Sequence, residues 1–555
     1  MILNIGSCKT AVDVTLRRMG DNQFSGRFAG KDASLWRQDE DGTKAINNRL
    51  GWVDIVDTMR GRIPEITGFV NEIIAEGFTD VVLMGMGGSS MCPEVSRQIF
   101  GTKDGYLKLQ VLDTTDPQTL LDIESRIDVT STLLIVATKS GTTVETLSAF
   151  KYFHAKTAAI KNNPGRSFIA ITDPETPLTG IAMEYGFRRL FENFENIGGR
   201  YSALSYFGLI PAALIGVDIE LLLDRTAGVS LDAQSSADGN EGVILGAVMA
   251  ELAANRRDKL TLIASPEIAS FGIWAEQLVA ESTGKQGKGI IPIEGERLAS
   301  VSDYGDDRLF VYMRLDGGDN SETDSLIEAL AASGAPIVTI TLGDAYDIGR
   351  EYLRWEIATG TACALMAVNA FDEPNVKESK DNTNALLKEV DEKGSLPHET
   401  PSIAEAGIGL YANVNSDTGA SLLLAVLDRY HPGDYFAMMA FLPYSDEIYS
   451  KLQEIRSLIS CRYKSATTLG YGPRFLHSTG QLHKGGPNKG IFIQFTADDL
   501  VDAAIPGQSF GFSTLKQAQA MGDAAALRSK NRTFIRIHLG SGIKSGLAKI
   551  LEWVK

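Results

Sequence analysis

Cysteine and histidine are scarce in this chain, with four cysteines and six histidines in 555 residues. Cys8, Cys92, Cys363 and Cys461 lie far apart without paired spacing. That pattern argues against a zinc site or a disulfide framework and fits a reducing compartment. No uninterrupted apolar run is long enough to span a bilayer, and Met1 does not open a signal peptide; a cytoplasmic protein with no membrane partner is expected. Basic residues are outnumbered, 53 Lys and Arg against 70 Asp and Glu, for a net charge of −17. A field of that sign disfavours nucleic acid as a partner, although a local cradle can still hold a small anion. Short-period repeats and low-complexity tracts are missing too. What remains is an ordinary globular composition, 44% hydrophobic and 22% charged, in a length that suits about three or four domains.

The most informative stretch is Thr138-Lys-Ser-Gly-Thr-Thr-Val-Glu-Thr146. The compact apolar run Leu133–Ala137 before it reads as a buried parallel strand, and Val144–Tyr152 after it reads as the start of a helix. A turn in that position aims backbone N–H groups and the positive helix end at a ligand. The hydroxyls of Thr138, Ser140, Thr142, Thr143 and Thr146 surround Gly141 and suit a phosphate. The plainer alternative is a polar helix start with spare hydroxyls.

A second strand, Asp80–Met84, runs into Gly85-Met-Gly-Gly-Ser-Ser90, a glycine-rich turn without dinucleotide-binding spacing. With Leu109–Leu112 and Ser167–Ile171 as further strands and helical patterns between them, residues 80–175 predict a doubly wound parallel sheet with both polar turns on one rim. Gly198-Gly-Arg200-Tyr-Ser202 suits a backbone passing close to something small, although Arg200 alone also reads as a surface arginine. A second α/β unit is expected from about Gly239. It has strands at 260–264, 309–313 and 336–340 and a helix at 266–282. Gln277 and Glu281 share a face of that helix. Glu281 falls in its last turn, where the helix dipole disfavours a carboxylate and raises its pKa towards the range of a general base; the plain alternative is a solvated glutamate. The polar stretch 388–402 reads as a surface connection. Further strands are expected at 435–441, 490–495 and 533–539. The segment Gly472–Gly486 spends His477 and His483, two of the six histidines, in a glycine-rich loop.

Taken jointly, these motifs resemble glucose-6-phosphate isomerases, and in particular the isomerase half of bifunctional transaldolase–glucose-6-phosphate isomerase proteins, over roughly 35–555. Gly85–Ser89 resembles the family's first substrate loop, with Gly88 and Ser89 as binding residues. Thr138–Thr146 resembles its phosphate loop, assigning phosphate binding to Thr138, Lys139, Ser140, Thr142, Thr143 and Thr146. Gly198–Ser202 resembles the segment with the catalytic arginine, Arg200. Gln277 to Lys285 resembles the segment that carries the base, Glu281, with Gln277 in binding. Phe371-Asp-Glu-Pro-Asn-Val-Lys-Glu-Ser-Lys380 resembles the segment ending in the catalytic lysine, Lys380. His477, four residues before Gln481, resembles the ring-opening histidine. No transaldolase-like barrel precedes these motifs.

The sequence departs from the family twice. Glu373 stands where the family usually has a phosphate-holding glutamine, so Glu373 is left out of the expected site. No histidine lies between Glu281 and Lys380; the histidine segment follows Lys380, as if the second domain were permuted. The resemblance implies an α/β protein with two sugar-isomerase, doubly wound, three-layer αβα domains. The expected division is an N-terminal extension 1–60, a first domain 61–235, and a second domain 236–555 that includes the C-terminal α/β segment. It also implies interconversion of glucose 6-phosphate and fructose 6-phosphate through an enediol(ate) without metal or cofactor, and a homodimer in which His477 reaches the partner's site. Two other readings stay open, a non-catalytic sugar-phosphate sensor on the same fold and an isomerase that also takes mannose 6-phosphate.

Overall fold

The computed structural model describes residues 1–231 and 236–555; the expected end of the first domain, residue 235, lies outside the described residues. Three separate sheets organise them. The first holds Lys108–Leu112, Asp80–Gly85, Thr132–Ala137, Phe168–Thr172 and Arg189–Glu192, in that spatial order and all parallel. Its strands are apolar on both faces, as a sheet covered on both sides requires. Val81, Leu83, Leu133 and Ile135 enter one core, while the alternate residues Val82, Met84, Leu134 and Val136 enter another. Helices Met91–Phe100 and Val144–Ala158 cover the opposite faces, giving the expected αβα layering.

The second sheet repeats the order with Ile337–Leu342, Arg308–Leu315, Lys259–Ala264 and Ile291–Ile293 parallel to one another. Ile2–Asn4 adds an antiparallel edge to it, so part of the N-terminal extension belongs to the second unit's sheet and not to the nearer first one. Helices Glu241–Ala254 and Ile348–Met366 lie against each other behind these sheets, and Gly246 lets the pair close tightly, since a Cβ there would sit 2.4 Å from the Ala358 carbonyl.

The third sheet lies within 403–538, inside the stretch expected to be one domain with the second. Thr533–His538, Gly490–Thr496, Tyr435–Phe441 and Ala466–Tyr471 are parallel, and the hairpin Ile403–Glu405 with Ile408–Tyr411 closes one edge antiparallel. The displacement of the histidine segment past Lys380 is realised here: His477 follows the Ala466–Tyr471 strand of this sheet. That strand escapes a hydrophobic-run search because Thr467 and Thr468 are buried in place of apolar residues, and Thr467 is paired with Arg456 and Glu296. The polar stretch 388–402 is also partly regular, since helix Val376–Lys393 continues through its first residues.

Buried charged groups tie the C-terminal unit to the first sheet. Lys516 Nζ reaches Asp116 at 2.7 Å and also meets Asp499, and Arg474 grips Asp113 with two bonds of 2.7 and 2.8 Å. Helix Phe512–Ser529 adds Phe512, Leu515 and Ala518 to the core under Tyr152 and Phe153. Lys516→Met should leave Asp116 and Asp499 buried without a counter-ion, a loss of about 3–5 kcal/mol. A lower melting temperature and faster protease release of the C-terminal unit are expected; an unchanged cleavage pattern would show that this clamp does not hold the units together.

Candidate active site

In the first sheet the neighbouring strands Asp80–Gly85 and Thr132–Ala137 send their chains to opposite faces. Such a reversal opens a crevice at the strand carboxyl ends, the usual ligand position in an open α/β sheet. The two turns singled out in the sequence both leave from it.

The first turn, Gly85–Ser90, is buried throughout. Gly87 has φ +54°, and a Cβ on it would lie 2.8 Å from the His477 carbonyl and 2.9 Å from Gln277 Nε2. A Cβ on Gly88 would lie 1.9 Å from the Gly199 carbonyl. The glycines therefore allow the Arg200, Gln277 and His477 segments to close on one turn, with Ser89 buried among them.

In the second turn, Ser140 Oγ lies 2.9 Å from Thr142 Oγ1, and Thr138 Oγ1 lies 2.8 Å from Thr143 Oγ1. Ser140 and Thr142 are exposed, and Thr143 stands at the N-cap position of helix Val144–Ala158 with no side-chain bond to the helix backbone. This is a hydroxyl-lined helix start open to an anion. Two expected binders behave otherwise. Lys139 is paired with Asp173 and also donates to the Glu195 carbonyl at 3.1 Å, and Thr146 Oγ1 is buried without a partner.

Arg200 is 3% exposed, and it is not a surface arginine. Its Nε donates to Ser282 Oγ at 2.9 Å, its Nη2 to the carbonyls of Ala370 and Asp372 at 2.7 and 3.0 Å, and its Nη1 faces Glu281 and Glu373, each at 3.2 Å. Burial works against its charge, but the two carboxylates more than offset that and raise its pKa. Glu281 sits in the last turn of helix Phe271–Thr283, as expected. Its pKa is raised above the ordinary carboxyl value, chiefly by burial; Arg200 pulls it down and Glu373 pushes it up. Gln277 Nε2 bridges Glu281 Oε2 at 3.2 Å and the His477 carbonyl at 2.8 Å, so one amide joins the carboxylate to the histidine segment.

The glycine-rich histidine loop is largely helical, with a 3-10 turn Arg474–His477 and a short helix Gly480–Gly485. His477 Nε2 lies 2.9 Å from Glu145 Oε1 of the same chain. The C-terminal unit of the chain thus places His477 against the chain's own first sheet. Gln481 fixes this helix by accepting from the Asn375 N–H at 2.8 Å and donating to Asn375 Oδ1 and the Gly284 carbonyl at 2.8 and 3.0 Å. His483 is a core residue, packed on Phe492 and Phe475 with both nitrogens unpartnered, and burial drives its pKa well down. Lys380 is exposed on helix Val376–Lys393, close enough for its charge to favour ionised Glu145.

Glu145, Ser282 and Gln519, whose Nε2 donates to Glu145 Oε1 at 2.7 Å, complete this arrangement and were not legible in the sequence. Glu145 lies in the first turn of its helix, where an acidic residue ordinarily complements the helix dipole. Glu373, left out of the expected site, instead pairs with Arg200. A cavity of about 1040 Å³ lies alongside, lined by Glu276, Glu294, Arg456 and Tyr471, and shares helix Phe271–Thr283 with the site; Gln277 and Glu281 do not line it. Among the described residues no group of three or more His, Cys, Asp or Glu side chains is placed to hold a metal ion, and no helix is long and apolar enough to cross a membrane.

The parallel sheets, with the hydroxyl-lined turn at the strand reversal, define a doubly wound, sugar-isomerase-like α/β fold. Residues 41–294 match the phosphoglucose isomerase family. Lys380 and His477 lie outside the matched stretch. The chain is 27% identical over 376 residues to a probable glucose-6-phosphate isomerase of Methanococcus maripaludis, covering 61% of this chain and 84% of that one. It is 29% identical over 364 residues to the glucose-6-phosphate isomerase of Rubrobacter xylanophilus, covering 56% and 83%. In fold it is similar to a hypothetical protein of Thermus thermophilus, with TM-score 0.59, 23% identity and coverage of 69% of this chain and 99% of that one.

The Gly88–Gly199 contact is backbone against backbone and no rotamer relieves it. Gly88→Ala should displace the Gly198–Ser202 turn and cost about 1–3 kcal/mol. A crystal structure and a melting curve of the variant check this; an unmoved Arg200 with an unchanged melting temperature would contradict it.

Proposed function

We propose that this chain is a glucose-6-phosphate isomerase, interconverting glucose 6-phosphate and fructose 6-phosphate. The observation that carries the reading is the convergence of Glu281, Arg200, Gln277 and the His477–Glu145 pair on the crevice that also holds the hydroxyl-lined helix start. A sensor needs only the anion cradle, and the buried carboxylate beside a fixed guanidinium has no part in one.

The chemistry follows from the groups. Ser140, Thr142, Thr143 and the helix N-terminus hold the phosphate with neutral donors and a dipole. Ring opening takes a proton off the anomeric hydroxyl and puts one on the ring oxygen; His477 is the titratable group for this, and the Lys380 charge supports its partner Glu145. Glu281 then takes the C2 proton and returns it to C1, while the hydroxyl proton on O2 passes to O1, so that C1 ends as an alcohol and C2 as the ketone. A raised pKa makes a carboxylate a stronger base, and its burial keeps water away. Arg200, fixed before the reaction starts, stabilises the enediolate oxygen that develops charge. Proton transfers by placed groups contribute roughly 10²- to 10⁴-fold each. A cytoplasmic location suits such an enzyme. A homodimer, which the resemblance implies, would not be needed to bring His477 to Glu145.

Glu281→Gln should lower kcat by at least about 10²-fold while sugar-phosphate binding persists; a coupled fructose 6-phosphate assay with and without chelator tests this, and a kcat within about tenfold of the parent, ~1.4 kcal/mol in barrier, removes Glu281 from the role. The base must be ionised to act, so activity should rise with pH through the raised Glu281 pKa, placing the acid limb above the ordinary carboxylate range. An acid limb at the pKa of a free glutamate would contradict the assignment. Glu373 competes with an anionic substrate for Arg200, so Glu373→Gln should lower KM several-fold in steady-state kinetics. An unchanged or higher KM would show that Glu373 does not compete.

A further inference from the structure

Glu145 accepts two hydrogen bonds on the same oxygen. His477 Nε2 lies 2.9 Å from Oε1, and Gln519 Nε2 donates to Oε1 at 2.7 Å. Behind Gln519, Thr115 Oγ1 donates to Gln519 Oε1 at 2.7 Å. All three supporting side chains are buried, Thr115 at 0%, Gln519 at 3% and Glu145 at 6% exposure. The orientation of the Gln519 amide is forced, because turning it over would set its carbonyl against the Glu145 carboxylate. Gln519 comes from the middle of helix Phe512–Ser529 in the C-terminal unit, Thr115 from the chain just after the first sheet's edge strand, and Glu145 from the hydroxyl loop's helix. The relay thus crosses between the two units at the histidine.

A carboxylate that accepts from a fixed amide is held as an acceptor, and the histidine opposite it must then supply the proton between them. That fixes the tautomer through the second partner, as in any oriented acid–base histidine. We propose that Gln519 is a positioning residue for ring opening: it fixes Glu145 so that His477 keeps its proton on Nε2 and offers Nδ1 to the sugar. Nδ1 has no protein partner among the described residues, which leaves it free to take a proton from the anomeric hydroxyl and return one to the ring oxygen. The lowered pKa of Glu145, where burial is outweighed by the charge and hydrogen bond of His477, agrees with an ionised acceptor. The proposal rests on the isomerase reading and adds to it a residue outside the matched family stretch.

The test uses the full chain and two substrates. Glucose 6-phosphate must be opened; a four-carbon aldose 4-phosphate has no free hydroxyl with which to close a ring. Gln519→Met should lower kcat/KM on glucose 6-phosphate roughly 10- to 100-fold, the worth of a hydrogen bond to a charged group, and leave the acyclic substrate within about twofold of the parent enzyme. Gln519→Glu places two carboxylates in contact, which share a proton until the pH rises. While that proton is present the introduced carboxyl donates as the amide did. This variant should therefore keep its activity on glucose 6-phosphate at acid pH and lose it on a new descending limb. Thr115→Val, which removes only the bond that orients the amide, should give a smaller loss of the same kind and keeps the test open if Gln519→Met does not fold. Equal losses on both substrates, or a Gln519→Glu pH profile identical to the parent, would overturn the positioning role. A parent enzyme inactive on both substrates would overturn the isomerase reading instead.

Discussion

A guanidinium buried in protein has lost its water and must be met on every side. Arg200 is met by Ser282, the carbonyls of Ala370 and Asp372, and the carboxylates of Glu281 and Glu373. Those partners come from the helix of the second sheet and from the chain that follows helix Ile348–Met366. Removing either set would leave a buried charge unpaired, a change that typically costs several kcal/mol. The demand for partners therefore draws the first and second units together at one point, and Glu281 is held there. Tyr201, next in sequence, reinforces the junction by stacking on Trp52 with ring centroids 5.0 Å apart and meeting Ser282 through its hydroxyl at 3.1 Å.

The third sheet approaches the same crevice from the other side. Like the other two it is built around a core of parallel strands, and the uses diverge: the first supplies the hydroxyl turn, the second the helix with Glu281, the third the histidine. Gln277 links the last two, because a single amide donates both to Glu281 and to the His477 carbonyl. The glycines at 87 and 88 make that approach possible by leaving no side chain in the way. Ion pairs at Lys516 and Arg474 then hold the C-terminal unit against the first sheet, and the Lys484–Asp523 pair ties the histidine segment to helix Phe512–Ser529. A shared core of Phe512, Leu515 and Ala518 under Tyr152 and Phe153 adds apolar contact to these pairs.

The electrostatics are local. A chain of net charge −17 still presents a site for an anion, because hydroxyls and a helix N-terminus need no net positive charge. Two of the cations nearby are committed. Lys139 is paired with Asp173 and Arg200 lies between two carboxylates. The acid at 373 faces Arg200 in this arrangement.

The sequence by itself determined the α/β class, because apolar runs ending in glycine- or hydroxyl-rich turns have few other readings, and the resemblance carried by the motifs at 85–90, 138–146, 198–202, 277–285 and 371–380 pointed to the isomerase. The helix positions of Gln277 and Glu281 were legible from spacing alone. Tertiary structure decided the rest. Period and composition say what a segment is and not what it meets, so a third complete sheet, with buried threonines in one strand, read as an extension of the second. Whether Arg200 is buried, which histidine is free, and which chain supplies it all depend on contacts between residues far apart in sequence. Glu145 and His477 are 332 residues apart, and Glu145 and Gln519 374. In sequence Glu145 is only an acid at a helix start and Gln519 a polar residue in a helix; folding removes both from water and sets them against each other, with His477 and Thr115 as their further partners.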